Sequence, residues 1–285
     1  MSVDRFADLH CHTELSDGST SVRDVVELAA KSGLNTLAIT DHDTMAGCAE
    51  ARAIGEKLGI RVIPGVEISS VDPSCGRKVH ILCYAPKNPE ILKPMLDASL
   101  ENRNRAMRES IEIVEQLYPV SAEMMLRHAE NSTCIYKQHV MQTLMEAGFA
   151  DEIFGELFKK LFSSGDGIAF RRVEYPGVYE ALKTARAAGG AVVMAHPSEY
   201  DSMELLKELC SMGMLDGIEI NHPRNREEDK RVMHELARKY DLAVTGGTDF
   251  HGWYTTKKNP VGAYTTAEAE FDKLFKGKGS INYDL

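Results

Sequence analysis

The chain has 285 residues, of which 43% are hydrophobic and 27% charged, with a formal net charge of −10. That composition belongs to a globular protein, and the length suits one α/β barrel, or a smaller domain carrying an insertion, better than two independent domains. The acidic balance excludes sequence-independent binding of long nucleic acid, which needs a positive surface, but leaves room for a local basic pocket that takes a small phosphate. The first residues lack the basic, apolar, small-residue order of a signal peptide, and no apolar run of about 18 residues occurs. The expectation is a cytoplasmic protein with no membrane partner. Six cysteines lie far apart without a CxxC pair, so they read as reduced thiols.

Along the chain, Asp8-Leu9-His10-Cys11-His12 is an apolar strand interrupted by ligand-type side chains, and a polar loop with Ser16-Asp17-Gly18 follows. Ser21-x-x-Asp24 reads as a helix N-cap, with Gly33 as the stop. Residues 36–39 form a short strand ending at Thr40-Asp41-His42-Asp43, and a helix is expected over 44–58. The apolar run 60–66 leads to Glu67, and 79–84 is the next strand, with His80 near its start. The link 71–78 is too short for a helix, which predicts a hairpin in place of strict β/α alternation. From 86 to 174 the strand-then-helix rhythm gives way to 3.6-residue periods over 91–117, 122–129, 136–147 and 152–162. The domain reading is therefore a barrel made of 1–85 and 175–285, with 86–174 as a helical insertion that forms a substrate lid. The rhythm resumes with helices at 178–188, 202–212 and 226–240 and strands at 191–195, 217–220 and 242–245.

In an extended strand alternate side chains share a face, so Asp8, His10 and His12 point one way, and two imidazoles so spaced can chelate one divalent ion. Cys11 faces the opposite way. His10, His12, His42, Glu67, His196, Asp249 and His251 all sit at or just past the C-terminal ends of apolar strands, and His80 is the exception. In a parallel barrel those ends form one face, where active sites assemble. The inventory exceeds the three protein ligands of a catalytic zinc and suits two or three ions bridged by a carboxylate. Mixed imidazole and carboxylate donors favour Mn, Fe or Zn over Ca or Mg. A hydroxide held on such ions beside Glu67 is the expected nucleophile, because metal binding lowers the pKa of water from about 15.7 toward 7.

The motifs Asp8 to His12, Ser16-Asp17-Gly18, Thr40 to Asp43, Gly65-Val66-Glu67, His80, Ala195-His196-Pro197, Gly217-Ile218-Glu219 and Asp249-Phe250-His251 resemble those of the PHP (polymerase and histidinol phosphatase) family of metal-dependent phosphoesterases. The resemblance implies a distorted (β/α)7 barrel with a trinuclear site. His10, His12, Glu67 and Asp249 would hold one ion; Glu67, His80 and His196 a second; Asp17, His42 and His251 a third. It is nearest to the branch that dephosphorylates nucleotides and other small phosphates and carries a helical insertion after the His80 strand. Asp8, Asp41 and Asp43 either accept the outer ring N–H of the histidines and fix their tautomers or are carboxylates that cap loops. In the insertion, Lys137 and His139 are placed to meet a phosphate oxygen, with His139 as an acid for the leaving group. Arg103 and His222 are further substrate contacts, and for each basic residue an ordinary solvated face is the competing reading.

The expected function is hydrolysis of phosphate esters of small molecules. Nucleotide 3′,5′-bisphosphates, sugar phosphates, or a cyclic phosphodiester opened and then stripped of its monoester are the candidate substrates. The alternatives are an exonuclease on short oligonucleotides, a non-catalytic metal-binding module, and amide or C–N hydrolysis in a related barrel.

Overall fold

The computed structural model describes residues 6–276, so the outer ends of the expected barrel segments lie outside the described residues. Seven strands follow one another around a single sheet in sequence order: β1 (Ala7–Asp8), β2 (Thr36–Ile39), β3 (Arg61–Val71), β4 (Lys78–Tyr84), β5 (Ala191–Met194), β6 (Gly217–Asn221) and β7 (Ala243–Gly246). The Leu9 N–H donates to the Gly246 carbonyl at 3.2 Å, bringing the two ends of the sheet together, so the barrel is nearly closed. All pairings are parallel except those of β4, which runs antiparallel to both β3 and β5. That reversal resolves the exception in the sequence. Ser69 pairs with His80, and Ala195 N–H donates to the His80 carbonyl at 3.1 Å, so the start of β4 lies on the same face as the ends of its neighbours.

Alternation along the strands sorts side chains to two sides. Leu9, Ala38, Ile63, Leu82, Tyr84, Val193 and Ala243 fill the barrel, and the Tyr84 hydroxyl donates across it to the Leu9 carbonyl at 2.8 Å. Outside the sheet, α1 (Val22–Lys31) and α2 (Cys48–Leu58) cover Leu37, Ile39 and Val62. The helices α7 (Val178–Ala187), α8 (Met203–Ser211) and α9 (Glu227–Lys239) cover the other strands. Ser21 caps α1 as its sequence suggests, accepting from Asp24 N–H at 3.1 Å. The helix expected from 44 begins at Cys48, because the Thr44 hydroxyl accepts the Ala46 N–H in a local turn. β3 runs to Val71, five residues past the expected end, since the β3–β4 hairpin keeps both strands paired up to the turn. A helix that the sequence reading did not anticipate, α10 (Glu268–Phe275), packs Phe271, Leu274 and Phe275 against Phe6, Leu9 and Tyr84.

Between β4 and α7 the chain is helical: α3 (Lys93–Leu117), α4 (Ala122–Arg127), α5 (Lys137–Glu146) and α6 (Glu156–Phe162). These helices share an apolar cluster of their own, with Met107, Ile111, Val114, Met125, Val140, Leu144 and Phe162 at its centre. Tyr254, from the segment after β7, is the barrel's contribution to that cluster.

Candidate metal centre

At the C-terminal mouth of the barrel the chain gathers buried imidazoles and carboxylates at close range. His10 Nε2 lies 3.1 Å from His12 Nε2 and 3.3 Å from Glu67 Oε2. His12 Nε2 lies 3.2 Å from both Glu67 Oε2 and Asp249 Oδ1, and His10 Nε2 is 3.5 Å from Asp249 Oδ1. The far side of each ring settles its tautomer. His10 Nδ1 donates to the Glu219 carboxylate at 2.9 Å. Ser16 Oγ spends its proton on Asp41 and so accepts from His12 Nδ1 at 3.4 Å. Two ring lone pairs and two carboxylate oxygens therefore face one point with no donor among them. Their separations match the edges, roughly 3.3 Å, of a tetrahedron around an ion with ligand bonds near 2.0–2.1 Å. The donor set fits a divalent cation.

Glu67 faces two ways. Its Oε2 belongs to that group and is also 3.1 Å from His42 Nδ1, while Oε1 is 2.9 Å from His80 Nδ1 and 2.9 Å from His196 Nε2. A third group lies alongside: His251 Nε2 is 3.1 Å from Asp17 Oδ1, and His42 Nε2 is 3.9 Å from Asp17 Oδ2. His251 Nδ1 donates to the Asp249 carbonyl at 2.9 Å, so its lone pair is the one that faces Asp17. Asp17 Oδ1, His42 Nδ1 and His80 Nδ1 are buried without a hydrogen-bond partner, as donors arranged for an ion would be.

The electrostatics agree. Burial would raise the carboxyls of Glu67, Asp249 and Asp17, but the imidazoles facing them hold all three well below the usual carboxylate range. Burial would lower His10 and His12; Glu219, Glu67 and Asp249 outweigh it, raising His10 well above its ordinary value and His12 to about 10. The anionic cluster thus demands positive charge, which a metal supplies by displacing those protons. Asp43 and Asp249 reach their positions through left-handed backbone, at φ 55° and 53°.

Of the two roles open to Asp8, Asp41 and Asp43, their contacts are those of carboxylates that cap loops, and other groups orient the rings. Asp8 accepts from Thr248 N–H, Thr248 Oγ1 and Gly262 N–H at 2.6–2.9 Å, tying the start of the barrel to its end. β1 stops at Asp8, so the alternation expected to carry Asp8 toward the ions does not continue. Asp41 braces Thr13 and Ser16, reaching His12 only through the serine. Asp43 accepts from Ser69 N–H at 2.8 Å and Arg103 at 3.0 Å. All three cap loops. Glu219 on β6 holds His10, and Glu199 lies 3.2 Å from His196 Nδ1 while pairing with Arg224. Glu219 was legible as a charge inside an apolar strand; Glu199 offers only its place three residues after His196.

The expected substrate contacts scatter. Lys137 is turned away from the mouth: its ammonium donates to the Phe162 carbonyl at 3.1 Å beneath the rings of Phe158, Phe162 and Phe170, and burial pushes it down to about 7. His139 accepts the Tyr136 N–H at 3.2 Å and caps α5, and burial lowers it to about 4, which ill suits a group meant to carry a proton at neutral pH. The residue between them reaches the mouth instead. Gln138 Nε2 donates to Asp17 Oδ2 at 3.0 Å. Arg103 packs between Tyr136 and Tyr175 and binds Asp43 and Ser69. His222 does lie in the mouth. Its Nδ1 accepts the Arg224 N–H at 3.2 Å, so Nε2 carries the proton, 3.4 Å from Asp249 Oδ2, and acts as a donor.

The PHP domain model matches residues 8–240. The chain belongs to the PHP family. Among PHP relatives, a phosphoribosyl 1,2-cyclic phosphate 1,2-diphosphodiesterase from Eggerthella lenta is 39% identical over 86% of this chain and 94% of its own. A 5′-3′ exoribonuclease from Haemophilus influenzae is 31% identical over 88% of this chain and 93% of its own. The solved structure of a candidate metal-dependent phosphoesterase from Bifidobacterium adolescentis superposes with a TM-score of 0.86 at 30% identity, covering 94% of this chain and 95% of that one. The PHP chain described here is a metal-dependent phosphoesterase, a hydrolase with a His, Asp and Glu cluster able to bind metal. No helix among the described residues is long and apolar enough to cross a membrane.

Proposed function

We propose that this PHP protein hydrolyses the phosphate esters of phosphorylated sugars or nucleosides, with a cyclic phosphodiester as first substrate and the resulting monoester as second. The observation that carries the reading is Glu67, whose two oxygens face separate groups of nitrogen donors and so suit a carboxylate shared between two cations. His10, His12, Glu67 and Asp249 would hold one ion, Glu67, His80 and His196 a second, and Asp17, His42 and His251 a third. Mn or Fe suits the carboxylate-bearing third group, and Zn the imidazole-rich others. When bound, divalent ions supply Lewis-acid polarisation of phosphoryl oxygens and lower the pKa of water toward about 7.

The chain's own residues do the rest. Glu219 fixes the His10 tautomer, and Ser16 fixes that of His12, so the ring lone pairs stay directed inward. His222 Nε2–H, held by the Arg224 backbone, is available to donate to a non-bridging phosphate oxygen. Arg224, half-exposed and fixed by Glu199 beside Asp249, offers a guanidinium to a second phosphate of the substrate. Residues 86–174 would form the wall that selects the substrate. The Eggerthella lenta relative supports the cyclic-ester reading.

Metal-loaded protein incubated with a phosphoribosyl 1,2-cyclic phosphate should open the ring and then release phosphate, followed by phosphorus NMR. No cleavage of that ester, of a nucleoside 3′,5′-bisphosphate or of a simple aryl phosphate would overturn the proposal. The Haemophilus influenzae relative favours a second reading, trimming of short RNA from its 5′ end. Faster turnover of a 5′-phosphorylated tetranucleotide than of any small ester would select it.

A further inference from the structure

The insertion touches the mouth on one side. Asn131 Nδ2 donates to Glu14 Oε2 at 3.0 Å, Ser132 Oγ to the Ser16 carbonyl at 2.9 Å, and Thr133 donates to the Leu15 carbonyl from both its N–H and its hydroxyl, at 2.9 and 2.8 Å. Five residues on, Gln138 at the start of α5 reaches Asp17 itself at 3.0 Å. The loop 14–17 is thus clasped along its length by residues 131–138. Gln138 is buried, and its amide takes Asp17 Oδ2, leaving Oδ1 buried, without a hydrogen bond and 3.1 Å from His251 Nε2. The donors His10, Glu67 and Asp249, by contrast, make their polar contacts outside that loop, and His12 meets it only through its outer nitrogen, 3.4 Å from Ser16 Oγ and 3.7 Å from Asp17 Oδ1, with Nε2 left facing Glu67 and Asp249.

We infer that Gln138 is a positioning residue for Asp17, and that through it the helical insertion sets the affinity of the Asp17, His42 and His251 group for its ion independently of the two ions held by the barrel. A side-chain amide donor on one carboxylate oxygen fixes the plane of the carboxylate and aims the other oxygen. Without it Asp17 has free rotation, and its two imidazole neighbours alone hold the ion. A charged donor in that place would compete with the ion for the carboxylate; a neutral amide orients it without cancelling its charge. The inference rests on the proposed three-ion reading, and the test below separates the two.

The experiment titrates metal-stripped full-length protein with Mn²⁺ and measures bound metal by elemental analysis after gel filtration at fixed free Mn²⁺. Wild type should bind three equivalents. Gln138→Leu, which keeps the volume and removes the donor, should bind two equivalents with unchanged midpoints and take up the third only at about 10- to 100-fold higher free Mn²⁺, the usual cost of losing a partner that orients a ligand. Its thermal midpoint without metal should equal that of wild type, which separates a positioning role from a folding defect. Gln142→Ala, on the same helix but directed at Tyr254 and Glu146, should titrate like wild type. Identical midpoints for all equivalents in Gln138→Leu, or loss of all the metal together, would overturn the inference. Wild type that binds fewer than three equivalents refutes the three-ion reading itself.

Discussion

His10, His12, Glu67 and Asp249 are held from within the barrel, by a strand carboxylate, by each other and by the hydrogen bonds that close β1 onto β7. Asp17 sits a few ångströms away on a loop that takes hydrogen bonds from the helical segment between β4 and α7. The first arrangement is set by Glu67 inside β3 and by backbone hydrogen bonds between the segments just past β1 and β7, His12 N–H to the Phe250 carbonyl and Asp249 N–H to the His10 carbonyl, which leave little room for adjustment. The second is set by loop and helix contacts that can change without disturbing the sheet. One centre thus combines a fixed part with an adjustable one.

The sharpest way to break that comparison is to remove the fixed part. His10→Ala combined with His12→Ala should abolish phosphate release and lower bound metal by at least one equivalent; unchanged metal content by elemental analysis would refute the assignment. Asp17→Asn addresses the adjustable part. It should lose about one equivalent and lower kcat by roughly 100-fold or more, as loss of a charge-stabilising group does, while the other ions stay. Full activity with one ion fewer would mean that the chemistry needs only the barrel-held pair.

Glu219→Gln keeps a hydrogen bond to His10 but removes the charge that raises the basicity of the ring. Metal affinity at the barrel-held group should fall about 10-fold or more, with the Asp17 group unaffected; an effect on all equivalents alike would blur the distinction between the two parts. The smallest effect concerns the insertion's own stability. Burial holds His139 at about 4 against an ordinary 6.5. Its contribution is fully present above pH 6.5 and is lost as pH falls toward 4, because the unfolded chain takes up the proton first. The loss is at most about 3 kcal/mol. His139→Gln keeps an acceptor for the Tyr136 N–H, so thermal midpoints of wild type and variant should be close at pH 7 and the wild type should fall progressively below the variant as the pH drops to 4. Parallel curves would show that His139 is protonated in the folded protein.

What the sequence made legible follows the same division. The positions of His10, His12, His196 and Asp249 just past strand ends needed only periodicity and the geometry of a barrel, whereas Glu67, read as a strand end, lies inside β3. His80 looked out of place at a strand start because residue spacing does not show which way a strand runs; the short 71–78 link was the clue to its reversal. The insertion was readable as helix but not in its rotation about its axis. Lys137, Gln138 and His139 are each about 100° apart on α5, and charge singles out the two outer residues in the sequence while the neutral one faces Asp17. Asp8, Asp41 and Asp43 have the chemistry of ring partners, but loop closure decides what each one touches. α10 went unread, since its apolar residues declare a helix only once the floor of the barrel is there to receive them.

Asp249 and Asp43 are two side chains that hold left-handed backbone at the mouth, where His196 also has positive φ, at 24°. Asp, Asn and Gly visit that conformation with little penalty, while most other residues resist it. Each position is therefore filtered twice, once by the chemistry of a carboxylate and once by the shape of the main chain, and the acceptable alphabet shrinks to nearly one letter. Glu, usually the gentlest exchange for Asp, satisfies the first filter and fails the second. At these two positions the most conservative substitution by charge is among the least tolerable by conformation.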